Sequence, residues 1–305
     1  MNSSGARFIS TGEGNRLRTQ VFDAASGNTG RGVCVLLHGQ TEFIEKYEEV
    51  IGELNARGFT VATFDWPGQG GSYRLLPNPL KAHIGDFAAY DTALWAFMDQ
   101  IVKPIGAKPP VILAHSMGGH IALRAMHDHP NAFTCAVLSA PMLRTLTRGY
   151  PRWVADAAMV FENLIGKGND WIWGMDKRDP YLVTFDTQLV TTDRARFDRT
   201  NIFLKSHPDL RLAGPTWGWL KQATRSMAMV MAPGYAEAIT TPVLLCAAGH
   251  DRIVDVTAEY EFVKRLPRGE LLDLKDSEHE ILMENDSIRA QFWRAFDGFV
   301  GKYIP

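Results

Sequence analysis

The sequence predicts an α/β fold, with a mostly parallel central sheet flanked by helices and a mainly helical insert after the sixth strand. Three observations predict it. Short apolar runs of strand length alternate with segments of helical periodicity, and the connections between them are short. One junction, Val111-Ile112-Leu113-Ala114-His115-Ser116-Met117-Gly118-Gly119, reads as strand, sharp turn and helix with one serine at the apex. The alternation stops at about Met142 and resumes after Tyr235. Alternation of this kind requires parallel strands covered on both faces.

Residues Phe8 to Ala24 hold Gly12-Glu13-Gly14-Asn15 between two weakly alternating runs, which predicts an opening hairpin. Val33-Cys34-Val35-Leu36-Leu37 is a continuous apolar run suited to burial on both faces, and it ends in His38-Gly39-Gln40. From Glu42, the residues Phe43, Tyr47, Val50 and Leu54 recur at helical spacing. Glutamates crowd the first turns of this helix, Arg57 closes it, and Gly58 suits the position just past its end. Thr60 to Phe64 is the next strand, followed by the glycine-rich turn Asp65-Trp66-Pro67-Gly68-Gln69-Gly70-Gly71-Ser72. Asp86 is placed to cap a helix through Phe87, Tyr90, Leu94, Phe97 and Ile101 that Pro104 ends. The Ser116 junction comes next, its helix runs to Pro130, and Phe133 to Leu138 is the sixth strand.

Within the interruption, helical stretches run from Thr192 or Asp193 through Ile202 and from about Thr216 to Met227. Trp153, Trp171, Trp173, Trp217 and Trp219 gather there, out of 8 tryptophans in the chain. An aromatic-rich insert between two halves of a sheet predicts a cap over its C-terminal edge, where ligands bind in open α/β sheets. The expected division is therefore core over 1–141, helical cap over 142–235 and core again over 236–305. The five tryptophans read equally as cap interior or as a soft apolar wall of a binding site. Pro242 to Ala248 restores the sheet, a helix follows around Thr257 to Arg265, and Glu270 to Leu274 is the last strand. The final helix carries Ile288, Phe292, Phe296 and Val300 behind a cap at Asp286 or Ser287.

With 305 residues, 46% hydrophobic and 22% charged, the chain has the composition of a globular protein with ample core. A net charge of −2 gives no electrostatic reason to expect nucleic acid as a partner. Cys34, Cys135 and Cys246 each fall in an apolar strand-like run, so buried reduced thiols and a cytoplasmic location are expected. The first residues show no apolar signal region, and no run is long enough to span a bilayer. His127 and His129 flank Asp128 at a helix end before Pro130, which reads as solvated surface, so no metal and no cofactor is expected.

The serine sits where chemistry is expected. A hydroxyl becomes a useful nucleophile when a sharp turn lifts it clear of the sheet within reach of an imidazole. Such a turn strains the serine and demands small neighbours, which Ala114, Gly118 and Gly119 supply. Acyl transfer also needs a base, a carboxylate to hold that base, and donors for the oxyanion. The loop after Pro242 to Ala248 offers Asp251 and Asp255 as acids, with His250 between strand and acid. The loop after the last strand offers His279, with Glu280 and Glu284 as its supports.

His38-Gly39-Gln40, Asp65 to Ser72, Ala114 to Gly119, Gly249-His250-Asp251-Arg252-Ile253-Val254 and Ser277-Glu278-His279-Glu280-Ile281 occur in this order. Together they resemble the α/β-hydrolase superfamily, in its bacterial lysophospholipase and monoacylglycerol-lipase-like branch. The resemblance covers roughly residues 30 to 300, and Gly214 to Leu220 is similar to that branch's cap. One departure is Ala114, where a glycine is usual; a methyl group is small enough to fit. The resemblance implies that Ser116 is the nucleophile, His279 the base and then acid, and Asp251 the residue orienting His279. It also implies an oxyanion hole from the backbone N–H groups of Gln40 and Met117, each worth about 3–4 kcal/mol of transition-state stabilisation. His38, Asp65 and Ser72 are expected to shape loops.

The expected activity is that of a serine ester hydrolase acting on single-chain lipid esters, lysophospholipids or monoacylglycerols. Alternatives with the same three residues are a small-ester carboxylesterase, an aminopeptidase-like amidase and an acyltransferase. A capped protein that only binds a small ligand is the non-enzymatic alternative. The tryptophans of the cap permit transient contact with a membrane surface, and the oligomeric state is not legible.

Overall fold

The chain opens with an antiparallel hairpin of β1 (Ser3–Ser10) and β2 (Arg16–Phe22). The computed structural model describes residues 3–12, 14–24, 30–147, 149–175 and 183–304; Glu13 in the hairpin turn lies outside them. Then come β3 (Val33–Leu37), α1 (Glu48–Ala56), β4 (Thr60–Phe64) and the two-residue β5 (Lys81–Ala82). Helices α2 (Ala88–Phe97) and α3 (Lys103–Ile105) lead to β6 (Val111–His115), α4 (Met117–Asp128) and β7 (Cys135–Ser139). The insert supplies α5 (Arg152–Leu164), α6 (Arg194–Ser206), the two-residue β8 (Gly214–Pro215) and α7 (Trp217–Met231). The chain closes with β9 (Val243–Ala248), α8 (Val256–Val263), β10 (Gly269–Leu274) and α9 (Asp286–Val300).

Among the described residues, eight strands form one sheet in the order β1-β2-β4-β3-β6-β7-β9-β10. Strand β2 pairs antiparallel with both β1 and β4, and every other pair is parallel. All residues of β3, β6, β7 and β9 are buried, as parallel strands covered by helices on both faces must be. The two-residue period of a strand divides them between two cores. Val33, Val35 and Leu37 face one core with α2, α4, α7 and α8, while Cys34 and Leu36 face the other with α1 and α9.

The insert leaves the sheet after β7, the sixth strand of that sheet in chain order. Strand β8 pairs with β5 and so pins the insert to the loop beyond β4. Helix α7 carries Trp219, whose indole N–H donates to Tyr90 Oη at 3.1 Å, into the core.

Several local expectations differ. Helix α5 falls where no helix is expected: its apolar residues share one side, but that side faces outward, with Trp153, Val160, Phe161 and Leu164 exposed. The helix expected to end at Pro104 instead widens into one π turn over Met98–Val102, and Pro104 falls at the start of α3, where its missing N–H costs little. Strand β7 begins at Cys135 rather than Phe133. The cap of α9 is Asn285, whose side-chain oxygen accepts from the N–H groups of Ser287 and Ile288.

Candidate active site

Ser116 is the turn between β6 and α4, with φ 50° and ψ −115°. A non-glycine residue with positive φ is strained, and neighbours must hold it there. Its N–H donates to Ser139 O at 3.0 Å, and its carbonyl accepts from His120 and Met142 N–H at 3.0 Å each. The strand–helix crossing is tight: a Cβ on Gly118 would lie 2.5 Å from Leu37 O and 2.6 Å from His38 O. Only glycine fits there.

His279 enters from the loop after β10, and its Nε2 lies 3.0 Å from Ser116 Oγ. On the other side its Nδ1 lies 2.5 Å from Asp251 Oδ2, on the loop after β9. Asp251 Oδ1 accepts from the N–H groups of Ile253 and Val254 at 2.7 and 2.9 Å. Burial pushes the Asp251 pKa up, but His279 and these two N–H donors outweigh it, and the carboxyl is held below its ordinary value. Burial pulls the His279 pKa down, yet the Asp251 charge prevails and raises it above 6.5. The structure therefore brings Ser116, His279 and Asp251 into one hydrogen-bonded line, from three separate strand ends. Asp255 is elsewhere in function: it caps α8 and pairs with Arg144 at 3.0 Å.

The loop after β3 lies beside the serine, because a Cβ on Gly39 would be 3.2 Å from Ser116 Cβ. Among the described residues, the backbone N–H groups of Gln40 and Met117 meet no acceptor. Residues around them are fastened. Gly39 N–H donates to Glu42 Oε2, Thr41 N–H to Gln69 Oε1, and the Trp66 indole N–H to His38 O at 2.8 Å. Asp65 shapes the adjacent glycine turn, accepting from Gly71 N–H at 2.7 Å and Ile44 N–H at 3.0 Å. Ser72 donates its hydroxyl to Asp65 O at 2.5 Å.

Comparison with known proteins places this architecture. The family described as serine aminopeptidase, S33, a family of hydrolases, matches residues 28–286. The chain belongs to this α/β-hydrolase family. Lysophospholipase L2 of Escherichia coli (strain K12) is 30% identical over 287 residues, covering 89% of this chain and 81% of that one. The monoacylglycerol lipase of Mycolicibacterium smegmatis is 25% identical over 247 residues, covering 81% and 80%. A soluble variant of monoglyceride lipase from Saccharomyces cerevisiae, solved with a substrate analogue, superposes with a TM-score of 0.78 at 19% identity, covering 100% and 97%.

In this S33 hydrolase the sequence reading missed a buried charged cluster behind the histidine. Lys46 Nζ donates to Glu42 Oε1 at 2.7 Å and to Glu280 Oε1 at 2.6 Å, and Tyr47 Oη donates to Glu42 Oε2 at 2.7 Å. Burial would raise the Glu42 pKa, but Lys46 and the neighbouring histidines hold it well below its ordinary value. The spacing of Glu42 and Lys46, one helical turn apart, was the available signal. His115, whose ring centroid is 4.8 Å from that of His279, is pushed down by burial to a pKa of about 3, so it stays neutral.

The tryptophans of the insert are divided between buried and exposed positions. Trp217 and Trp219 are buried, Trp173 packs its ring 5.2 Å from Trp217, and Trp171 lies under Lys81. Trp153 is 74% exposed. His127 stacks on Tyr235, whereas His129 packs tilted against Trp95. A cleft of about 400 Å³ between residues 183–185 and α6 is bordered by none of the site residues.

Proposed function

We propose that the chain is a serine esterase that cleaves single-chain lipid esters, lysophospholipids or monoacylglycerols, through an acyl-enzyme. The observation that carries the chemistry is the unbroken line Asp251–His279–Ser116, at 2.5 and 3.0 Å, ending on a strained serine. Ser116 Oγ attacks the ester carbonyl carbon while its proton passes to His279 Nε2. The negative charge that develops on the carbonyl oxygen is received by the N–H groups of Gln40 and Met117. Collapse breaks the ester bond, and the departing alcohol takes the proton from His279. Water then gives its proton to His279 and adds to the acyl carbon; collapse breaks the bond to Ser116 Oγ, which takes that proton back from His279 as the fatty acid is released.

The lipid substrate rests on the names of the relatives, a lysophospholipase at 30% identity and a monoacylglycerol lipase at 25%. Residues 142–235 act as the cap. The exposed apolar residues of α5, with Trp153 74%, Phe161 56% and Leu164 81% exposed, favour transient contact with a lipid surface. The three buried free thiols favour a cytoplasmic location.

A fluorophosphonate probe tests the nucleophile, with labelling of the wild type and none of Ser116→Ala expected. Equal labelling of both would sink the reading. Esters of p-nitrophenol of increasing chain length, run beside lysophosphatidylcholine and monoacylglycerol, test the substrate. Preference for acetate over long chains would overturn the lipid assignment. The family description favours a second reading, an aminopeptidase-like amidase. Amino-acid p-nitroanilides in the same panel separate it.

A further inference from the structure

The loop that carries His279 is fastened to the segment leading into α6, and the fastenings fall on both sides of the histidine. Glu280 N–H donates to Val190 O at 2.7 Å. Glu278 N–H donates to Glu284 Oε1 at 2.9 Å. The other oxygen of that carboxylate accepts from Thr192 N–H at 3.1 Å, from the Thr192 hydroxyl and from Asn285 N–H at 3.2 Å. Thr191 adds a hydroxyl donated to Met283 O at 2.7 Å. Glu284 is fully buried, so its carboxylate oxygens must find their donors within the protein.

The segment is itself held fast. Arg196, in the first turn of α6, donates to Glu284 O at 2.9 Å and pairs with Glu49 of α1 at 2.6 Å and Asp286 of α9 at 2.7 Å. An imidazole aligned on a serine tolerates little displacement, since about 1 Å of misplacement can cost 100-fold in rate. The residues next to His279 in sequence take their positions from the insert rather than from the sheet alone.

We infer that residues 190–192 form a strut by which the cap sets the position of His279, with Thr192 and Glu284 as positioning residues. The inference rests on the reading of His279 as the general base. It assigns the cap a part in base alignment that does not depend on the size of the substrate. An ester too small to fill the cap must feel the strut as much as a lipid does.

The test is Thr192→Val with p-nitrophenyl acetate. Thr192 is exposed, so the substitution leaves the core alone. The expected result is a fall in kcat of about tenfold or more with KM unchanged. The acid limb of the pH profile should also move to lower pH, because an imidazole drawn off Asp251 loses the charge that raises its pKa. The other groups facing His279, namely His115, Glu42, Glu280 and, through both carboxylates, Lys46, stay in place in this variant. Thr192→Ser should restore both readouts, and Glu284→Gln should repeat the loss if the valine variant misfolds. Wild-type kcat with an unmoved limb would overturn the strut, as would a loss that only tracks the folded fraction measured by circular dichroism. His279→Ala run in parallel separates the two claims. If it keeps activity, the reading of the base falls and the strut with it. If it is inactive while Thr192→Val behaves as wild type, the strut alone falls.

Discussion

His279 Nε2 stands 3.0 Å from Ser116 Oγ although 163 positions of sequence separate the two residues. Parallel pairing of β6, β7, β9 and β10 makes this meeting possible, because it delivers all their exit loops to one edge of the sheet. Asp251, at the exit of the strand between them, completes the line.

The electrostatics of that line set a pH dependence. A general base works deprotonated, so activity is lost as pH falls through the pKa of His279, which lies above 6.5. The acid limb of kcat/KM for p-nitrophenyl butyrate should therefore be centred above pH 6.5. Asp251→Asn should lower kcat by about 10⁴-fold and move the limb downward. A wild-type limb centred below pH 6 would contradict the pairing.

Two glycines should fail in different ways. Gly118→Ala drives a Cβ into backbone carbonyls at 2.5 and 2.6 Å that have no room to yield. It should cost about 1–3 kcal/mol of stability, seen as a lowered melting temperature. Gly39→Ala puts a methyl 2.8 Å from Glu42 Oε2 and 3.2 Å from Ser116 Cβ. Its damage should appear mainly in kcat, because it displaces the loop presenting Gln40 N–H. Equal melting temperatures for the Gly118→Ala variant and wild type would refute the first half.

Glu259 of α8 is fully buried, and neither carboxylate oxygen has a hydrogen-bond partner among the described residues. Burial first, then the charges of Asp251 and Asp255, push its pKa well above the ordinary value. The folded state keeps the proton while the unfolded state releases it above about pH 4.3. The stability this group contributes is thus present below that pH and declines as pH rises toward the folded pKa, by at most about 1.4 kcal/mol per unit. Glu259→Gln should remove the decline, so urea denaturation should show a gap over wild type that widens from pH 5 to pH 7. A gap independent of pH would disprove it.

The outward face of α5 predicts vesicle binding. Burying an exposed Phe or Leu side chain is worth about 1.5–3 kcal/mol, so Phe161→Glu or Leu164→Glu should weaken partitioning at least about tenfold. Co-sedimentation with phosphatidylglycerol vesicles measures this, with hydrolysis of a water-soluble ester unchanged. Undiminished binding by both variants would remove α5 from the contact.

By itself the sequence determined the parallel sheet, the strand–turn–helix at Ser116 and the order of the loops that hold Asp251 and His279. These are legible because buried strands are continuous apolar runs and a tight turn needs small residues, both local demands on residue type. It did not determine helix α5, whose apolar side faces outward rather than into a core, nor the sorting of the tryptophans into buried Trp217 and exposed Trp153. Nor did it reveal Lys46 between Glu42 and Glu280, or Thr192 against Glu284. Those partners are joined by side-chain reach across separate elements, and only tertiary packing decides which buried charge meets which donor.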